Sequence, residues 1–234
     1  MGEFYDALLA AIGLIADLDG DLNRIVGLSL MVSLAAVAVA ALVGLPLGAA
    51  IALCRFPGRG ALIVVRNALM GLPPVVVGLV VYLLLSRSGP FGVFGLLFTP
   101  TAMIIAQCLL IAPIIAALSA QTIADLHEEY DEQLRSLAAG PTQRLRTLLW
   151  DGRFRLLTAI LAGFGRAVAE VGAVMIVGGN INHATRVMTT AIALETSKGN
   201  LALALALGVV LIALALGINL AAMAVRDLAR ARYG

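Results

Sequence analysis

Apolar residues in this chain run in blocks too long for the core of a soluble domain. Five blocks approach or exceed the ~20 residues a helix needs to cross a bilayer. They run from Ile25 to Leu53, Ala61 to Leu85, Thr101 to Ala120, Leu156 to Val177 and Leu201 to Val225. The pattern predicts an all-α integral membrane protein with five transmembrane helices occupying residues 25–234. Ahead of them, Leu8, Leu9, Ile12, Ile15 and Leu18 recur at helical spacing between acidic residues, a run too short to span. Residues 1–24 therefore read as an amphipathic segment at the external interface.

Glycine and proline punctuate the blocks. Gly44, Pro46 and Gly48 interrupt the first; Pro46 removes a backbone donor and is a candidate helix break, and the GxxxG spacing permits a second helix to approach closely. Pro73 and Pro74 interrupt the second. Two readings of this pair stay open, a packed kink or a helix broken at a translocation path, where freed carbonyls face protein or water. Pro113 lies in the third block; Ser86 to Pro100 reads as an interfacial loop, and Gly178 to Asn200 as a mixed polar segment whose middle is too short to span.

The longest polar interval is the connection 121–155. Leu126, Tyr130, Leu134 and Leu137 fall at i, i+4, i+8 and i+11, one apolar stripe on a helix ringed by Glu128, Glu129, Asp131, Glu132 and Arg135. Ala138, Ala139, Gly140 and Pro141 form a break: Gly140 is suited to end one helix and Pro141 to start the next. A second short helix to about Trp150 would place Leu145, Leu148 and Leu149 on one side. Two short helices meeting at an elbow make a stiff knob, able to transmit a push from a soluble motor or to rest on the membrane.

Composition agrees: 61% of the 234 residues are hydrophobic, 13% charged, and mean hydropathy is +1.01, against roughly half apolar and a quarter charged in soluble domains. The net charge of +2 matters less than its placement. Arg55, Arg59, Arg66, Arg135, Arg144, Arg146, Arg153, Arg155, Arg226, Arg230 and Arg232 fall on one set of connections; Arg24, Arg87, Arg186 and Lys198 fall on the other. The excess of cations puts the long connection and the C-terminus in the cytoplasm and the N-terminus outside. Acidic residues at the N-terminus speak against a cleaved signal peptide. Cys54 and Cys108 lack metal or disulfide spacing, His183 stands alone, and His127 lacks the second histidine of HExxH, so no metal site is expected. No GxxxxGK[ST] stretch is present, which leaves the chain without a phosphate loop of its own. The arginines are topological and aromatics few, which argues against nucleic-acid binding.

Inside the fourth block sit Arg166 and Glu170, four residues apart and hence on one helix face. Arg166 lies roughly 15 Å into that block, where an ionised side chain costs at least about 2.5–3.5 kcal/mol. The face must turn inward, either to lock packing or to line a pore in which Arg166 attracts an oxyanion and Glu170 holds the arginine. Asn180, Thr189 and Thr190 supply further donors for a weakly held oxyanion, or close a solvated outer loop.

The interval around residues 129–151 resembles the EAA loop of importer-type ABC transporter permeases, with Ala138 at the family glycine, Gly140 two residues on and Asp151 near the family proline. Phe164 to Ile181 (FGRAVAEVGAVMIVGGNI) is similar to the corresponding stretch of molybdate and tungstate permeases, and Thr185 to Gly199 resembles the tungstate branch. The resemblance implies a permease subunit that moves tungstate inward by alternating access, in the prokaryotic inner membrane. It implies no enzyme activity in this chain. It also implies a second copy of the chain, a cytoplasmic ATPase carrying ATP and Mg, and an external binding protein. On that likeness Glu129, Tyr130, Leu134, Leu137, Ala138, Ala139, Gly140 and Pro141 would couple to the ATPase. Molybdate or another small oxyanion as cargo remains open, as do a self-sufficient carrier or channel, although no inverted repeat is seen, and a non-transporting assembly protein.

Overall fold

The computed structural model describes residues 20–54 and 57–233, together with Leu9, Ile12 and Gly13. The segment expected at the external interface lies mostly outside the described residues, as does Arg55. The described residues form α1 (Gly20–Leu53), α2 (Arg59–Met70), α3 (Pro74–Leu85), a 3₁₀ turn (Gly92–Phe94), α4 (Pro100–Ser136), α5 (Pro141–Asp151), α6 (Arg153–Val168), α7 (Gly172–Gly178), α8 (Met188–Ser197) and α9 (Leu201–Tyr233). Among them there is no strand. Three helices are long and apolar enough to cross a membrane, and up to five spans result if the bent pairs α2–α3 and α6–α7 each count as one.

The central contact is between α1 and α4. A Cβ on Gly48 would lie 2.4 Å from the Ala116 carbonyl oxygen, and one on Gly44 3.0 Å from that of Ala112. The two glycines thus let the backbones touch, as the GxxxG spacing allows. The Ser119 hydroxyl donates to the Leu45 carbonyl at 3.0 Å. Pro46 does not break α1, which runs helically from Gly20 to Leu53. A proline inside a membrane helix is tolerated where a neighbour and its hydroxyls satisfy the backbone around it, and α4 fills that role. Pro113 likewise sits within an unbroken α4.

The expected second span is two helices. Gly71, Leu72 and Pro73 separate the two helices, with Pro73 extended, Pro74 opens α3, and the axes differ by 103°. Proline pushes its predecessor out of the α region, so two in succession end one helix and begin another. The pair therefore marks a sharp break between two helices. With 12 residues, α3 is only ~18 Å long, well short of a hydrocarbon core ~30 Å thick. The expected fourth span is also interrupted, by a 59° bend between α6 and α7.

The third span overruns its expected end at Ala120. With 37 residues, α4 reaches ~55 Å and absorbs the first helix expected in the polar connection. Polarity alone does not stop a helix, and neither glycine nor proline occurs between Ala120 and Ser136. The stop comes at Ala138 rather than Gly140. Ala138 adopts φ 51°, in the left-handed region; its N–H bonds the Arg135 carbonyl and that of Ala139 the Leu134 carbonyl. This is the doubly bonded helix terminus that ordinarily carries glycine. Gly140 instead precedes α5, its N–H held at 3.0 Å by Gln143 Oε1, and Pro141 starts α5 as expected. Ala49, Ile123, Leu126, Leu134, Leu148 and Leu156 form one buried cluster beneath the elbow, with Tyr130, Ala139, Leu145 and Leu149 against it.

Two substitutions test these contacts in opposite directions. Ala138→Gly relieves a left-handed alanine and should raise stability by about 1 kcal/mol, read as an increased melting temperature of the detergent-solubilised protein. Gly48→Ala drives a methyl into the α4 backbone and should lower stability by about 1–3 kcal/mol in the same assay.

Candidate functional site: the break between α6 and α7

A helix that stops inside a membrane leaves orphan carbonyls on one side and orphan N–H groups on the other. Ala169, Glu170 and Val171 separate α6 from α7, and Glu170 serves both ends. Its side chain is 2% exposed. Oε1 accepts from the Ala173 N–H at 2.9 Å, in the first turn of α7. Oε2 accepts from Arg166 Nη1, in the last turn of α6, at 2.5 Å. One carboxylate therefore clasps the last turn of one helix to the first turn of the next. The spacing of Arg166 and Glu170 suggests one face of a continuous helix; in the structure the two pair across a break, with Glu170 outside α6. Arg166 keeps 29% of its side chain exposed.

Three other helices supply the remaining partners. Gln107 of α4 donates from Nε2 to the Ala167 carbonyl at 3.2 Å, the last turn of α6. Thr189 of α8 donates to the Glu170 carbonyl at 2.7 Å. Ser29 of α1 donates to the Ile25 carbonyl at 2.8 Å and accepts from the Met188 N–H at 2.6 Å, fixing α1 to the start of α8. Ser29, Ser33, Gln107, Glu170 and Thr189 face one cavity of about 20 Å³, enough for about one water. Gln107 is 3% exposed, and its Oε1 has no partner among the described residues. A water there would satisfy it.

The other sequence-predicted residues are divided. Thr190 is fully buried, and its hydroxyl caps α8, accepting from the Val187 N–H at 3.2 Å. Asn180, at φ 49°, donates to the Thr190 carbonyl at 3.3 Å and so braces the same helix from outside the break. Glu195, on α8 and not among the predicted path residues, is held by Lys198 at 2.9 Å and Asn200 at 3.1 Å. The hydrogen bond from Lys198 keeps its carboxyl below the usual carboxylate range against the opposing effect of burial, helped by Asn200 and by the charges of Lys198 and Arg186. Gln107, Ser29 and Ser33 are missing from the sequence reading. Gln107 was findable as the single amide in the apolar Thr101–Ala120 block; the two serines carry no comparable signal, since a serine in a membrane helix commonly bonds its own backbone, as Ser29 does.

The elbow gathers the residues assigned to coupling at one end of α4. Leu134 is buried, whereas Leu137 is 76% exposed and Trp150 on α5 67%. Glu129 faces Arg155 at 3.9 Å, and the Arg153 guanidinium stacks 4.7 Å from the Trp150 ring and 4.5 Å from Phe154. Large apolar side chains held out by a stiff base, flanked by charge, suit a protein contact.

Residues 44–233 match the family model described as binding-protein-dependent transport system inner membrane component. The chain is 42% identical over 197 residues to a probable anion ABC transporter permease protein of Haloferax volcanii, covering 80% of this chain and 85% of that one. It is 40% identical over 206 residues to the tungstate uptake system permease protein TupB of Peptoclostridium acidaminophilum, covering 88% and 90%. It is 43% identical over 137 residues to TupB of Campylobacter jejuni, covering 58% and 57%. The matched region takes in both helix breaks, the elbow and the Glu170 clasp, and the chain belongs to the family of inner-membrane components of binding-protein-dependent transport systems.

Proposed function

We propose that this chain is the permease subunit of an ATP-driven importer that carries tungstate inward by alternating access. It is a multi-pass inner-membrane protein and not an enzyme; ATP hydrolysis belongs to a separate subunit that binds ATP and Mg. The substrate is supported by the extended likeness to tungstate permeases. The observation that carries the mechanism is the continuity of α4 from the elbow to the clasp. Gln107 and Ser136 lie on one helix, ~44 Å apart, and a helix in a packed protein is stiff enough to act as a lever. The elbow at 137–141, cytoplasmic by the arginine asymmetry, is where the ATPase engages Leu137 and its neighbours. A push there moves α4, and the Gln107–Ala167 bond passes that motion to the break between α6 and α7.

Arg166 is the path cation. It keeps 29% of its side chain exposed while Glu170 orients it, so an oxyanion meets a fixed, partly neutralised charge and is held weakly enough to leave. Thr189 and Asn180 brace this wall. The broken pair α2–α3 flanks the path with α6–α7, and a second copy of the chain closes it, because the spans of one chain are too few to enclose a channel. An external binding protein delivers the anion to the Asn180–Lys198 side.

Replacing Leu137–Pro141 by a flexible Gly/Ser linker should lower tungstate-stimulated ATP hydrolysis of the complex in liposomes at least about tenfold; retention of that activity refutes docking at the elbow. Uptake by this chain alone, driven only by an ion gradient, would favour a secondary carrier, and equal competition by molybdate would widen the substrate to both anions. Arg166→Gln should cut uptake about tenfold or more, and the charge-neutral pair Arg166→Gln with Glu170→Gln should not restore it. Recovery in that double variant would mean the pair only packs.

A further inference from the structure

A second concavity, with a few polar side chains in a mostly apolar lining, lies at the elbow, on the far side of α4's apolar stretch from the clasp. It has a volume of about 540 Å³ and lies between the end of α1, α4 and the start of α5. Leu53 and Cys54 form one wall, His127 of α4 a second, and Thr142 and Arg144 of α5 a third. The lining is unusual for its neighbourhood. Asp125, Glu128, Glu129, Asp131 and Glu132 crowd this part of α4, yet no carboxylate lines the crevice among the described residues.

Its charge and its donors point one way. Arg144 spends Nε on the Ala139 carbonyl at 2.9 Å and forms no ion pair among the described residues, which leaves two guanidinium nitrogens to serve a ligand. Thr142 offers a hydroxyl. His127 has a buried Nδ1 with no hydrogen-bond partner among the described residues; its Nε2 lies 3.9 Å from Asp131 Oδ1, and Asp131 is itself held by Arg135 at 2.8 Å. An arginine presenting parallel N–H groups matches the oxygens of a phosphate-like anion. The volume leaves room for water around such an ion, at ~30 Å³ per water.

We propose that this crevice binds a tetrahedral oxyanion, free in the cytosol or as a phospholipid headgroup, between Arg144 of α5 and His127 of α4. The site is distinct from the path at Arg166 and does not depend on it. An ion there would tie the two arms of the elbow together and restrain the angle through which force enters α4.

Cys54 reports occupancy. With Cys108→Ser it is the one remaining thiol of the two in the chain, and it is exposed at the crevice wall. The full chain in phosphatidylcholine nanodiscs would be treated with a cationic thiol reagent, with and without millimolar inorganic phosphate or tungstate. The expected result is alkylation slowed about fivefold or more by the anion. Arg144→Gln should abolish this protection, Arg144→Lys should keep part of it, and Arg166→Gln should leave it intact. In phosphatidylglycerol nanodiscs, protection without added anion that is likewise lost in Arg144→Gln identifies the lipid headgroup as occupant. Equal rates under all conditions, or protection that survives Arg144→Gln, overturns the proposal. Loss of protection in Arg166→Gln also overturns it, because the anion would then be acting from the path. The path reading stands or falls separately, on uptake by the Arg166 variants.

Discussion

A carboxylate withdrawn from water must find both a counter-charge and hydrogen-bond donors within the protein, because an unpaired buried charge is among the most costly features a fold can carry. Glu170 meets that demand across a gap in its own helix. One oxygen takes the Arg166 guanidinium, the other an orphan N–H of the helix that follows. This one group joins the two helices at the bend between α6 and α7 and gives Arg166 its counter-charge. Gln107, Thr189 and Ser29 then fasten the break to α4, α8 and α1, so the site is the point where most of the long elements converge.

The same rule, that the bilayer supplies no hydrogen bonds, explains the contrast among the prolines. Pro46 and Pro113 stay within intact helices because α1 and α4 pack backbone against backbone and leave no room to bend. Pro73 and Pro74 break theirs, because α2 has no buried residue in the chain to hold it in line. The neighbour matters as well as the proline. The result is one rigid pair, α1 and α4, beside two broken elements, an arrangement suited to a lever acting on a hinge. The elbow at the lever's end is stiff for local reasons: a doubly bonded helix stop at Ala138, a proline start at Pro141, and Leu148 buried beneath.

Much of this was legible in the chain. Long apolar blocks, the elbow, the GxxxG approach and the Arg166–Glu170 pairing all follow from local rules, because a residue's hydropathy and the i, i+4 geometry do not depend on distant partners; Leu137 does not, since it leaves the buried stripe of Leu126 and Leu134 and stands 76% exposed. The kinship was legible as well, in Phe164 to Gly199. Other features were misplaced. α4 ran past Ala120, since nothing local stops it, and its end fell on Ala138 because the left-handed turn is set by where Leu134 must bury.

The hydrophobic pattern was enough to establish a helical membrane chain and its charged connection, because lipid selects on composition and length alone; the class of machine it serves came from the resemblance carried by Phe164 to Gly199 and the elbow. The pattern could not say which helices bend, that Gln107 reaches the Ala167 carbonyl across 60 positions, or that Thr190 is occupied as a cap while Arg144 commits only its Nε, to the Ala139 carbonyl, at the edge of a crevice. Those depend on which polar groups meet, and in a medium without water each such meeting is decided by the three-dimensional supply of partners.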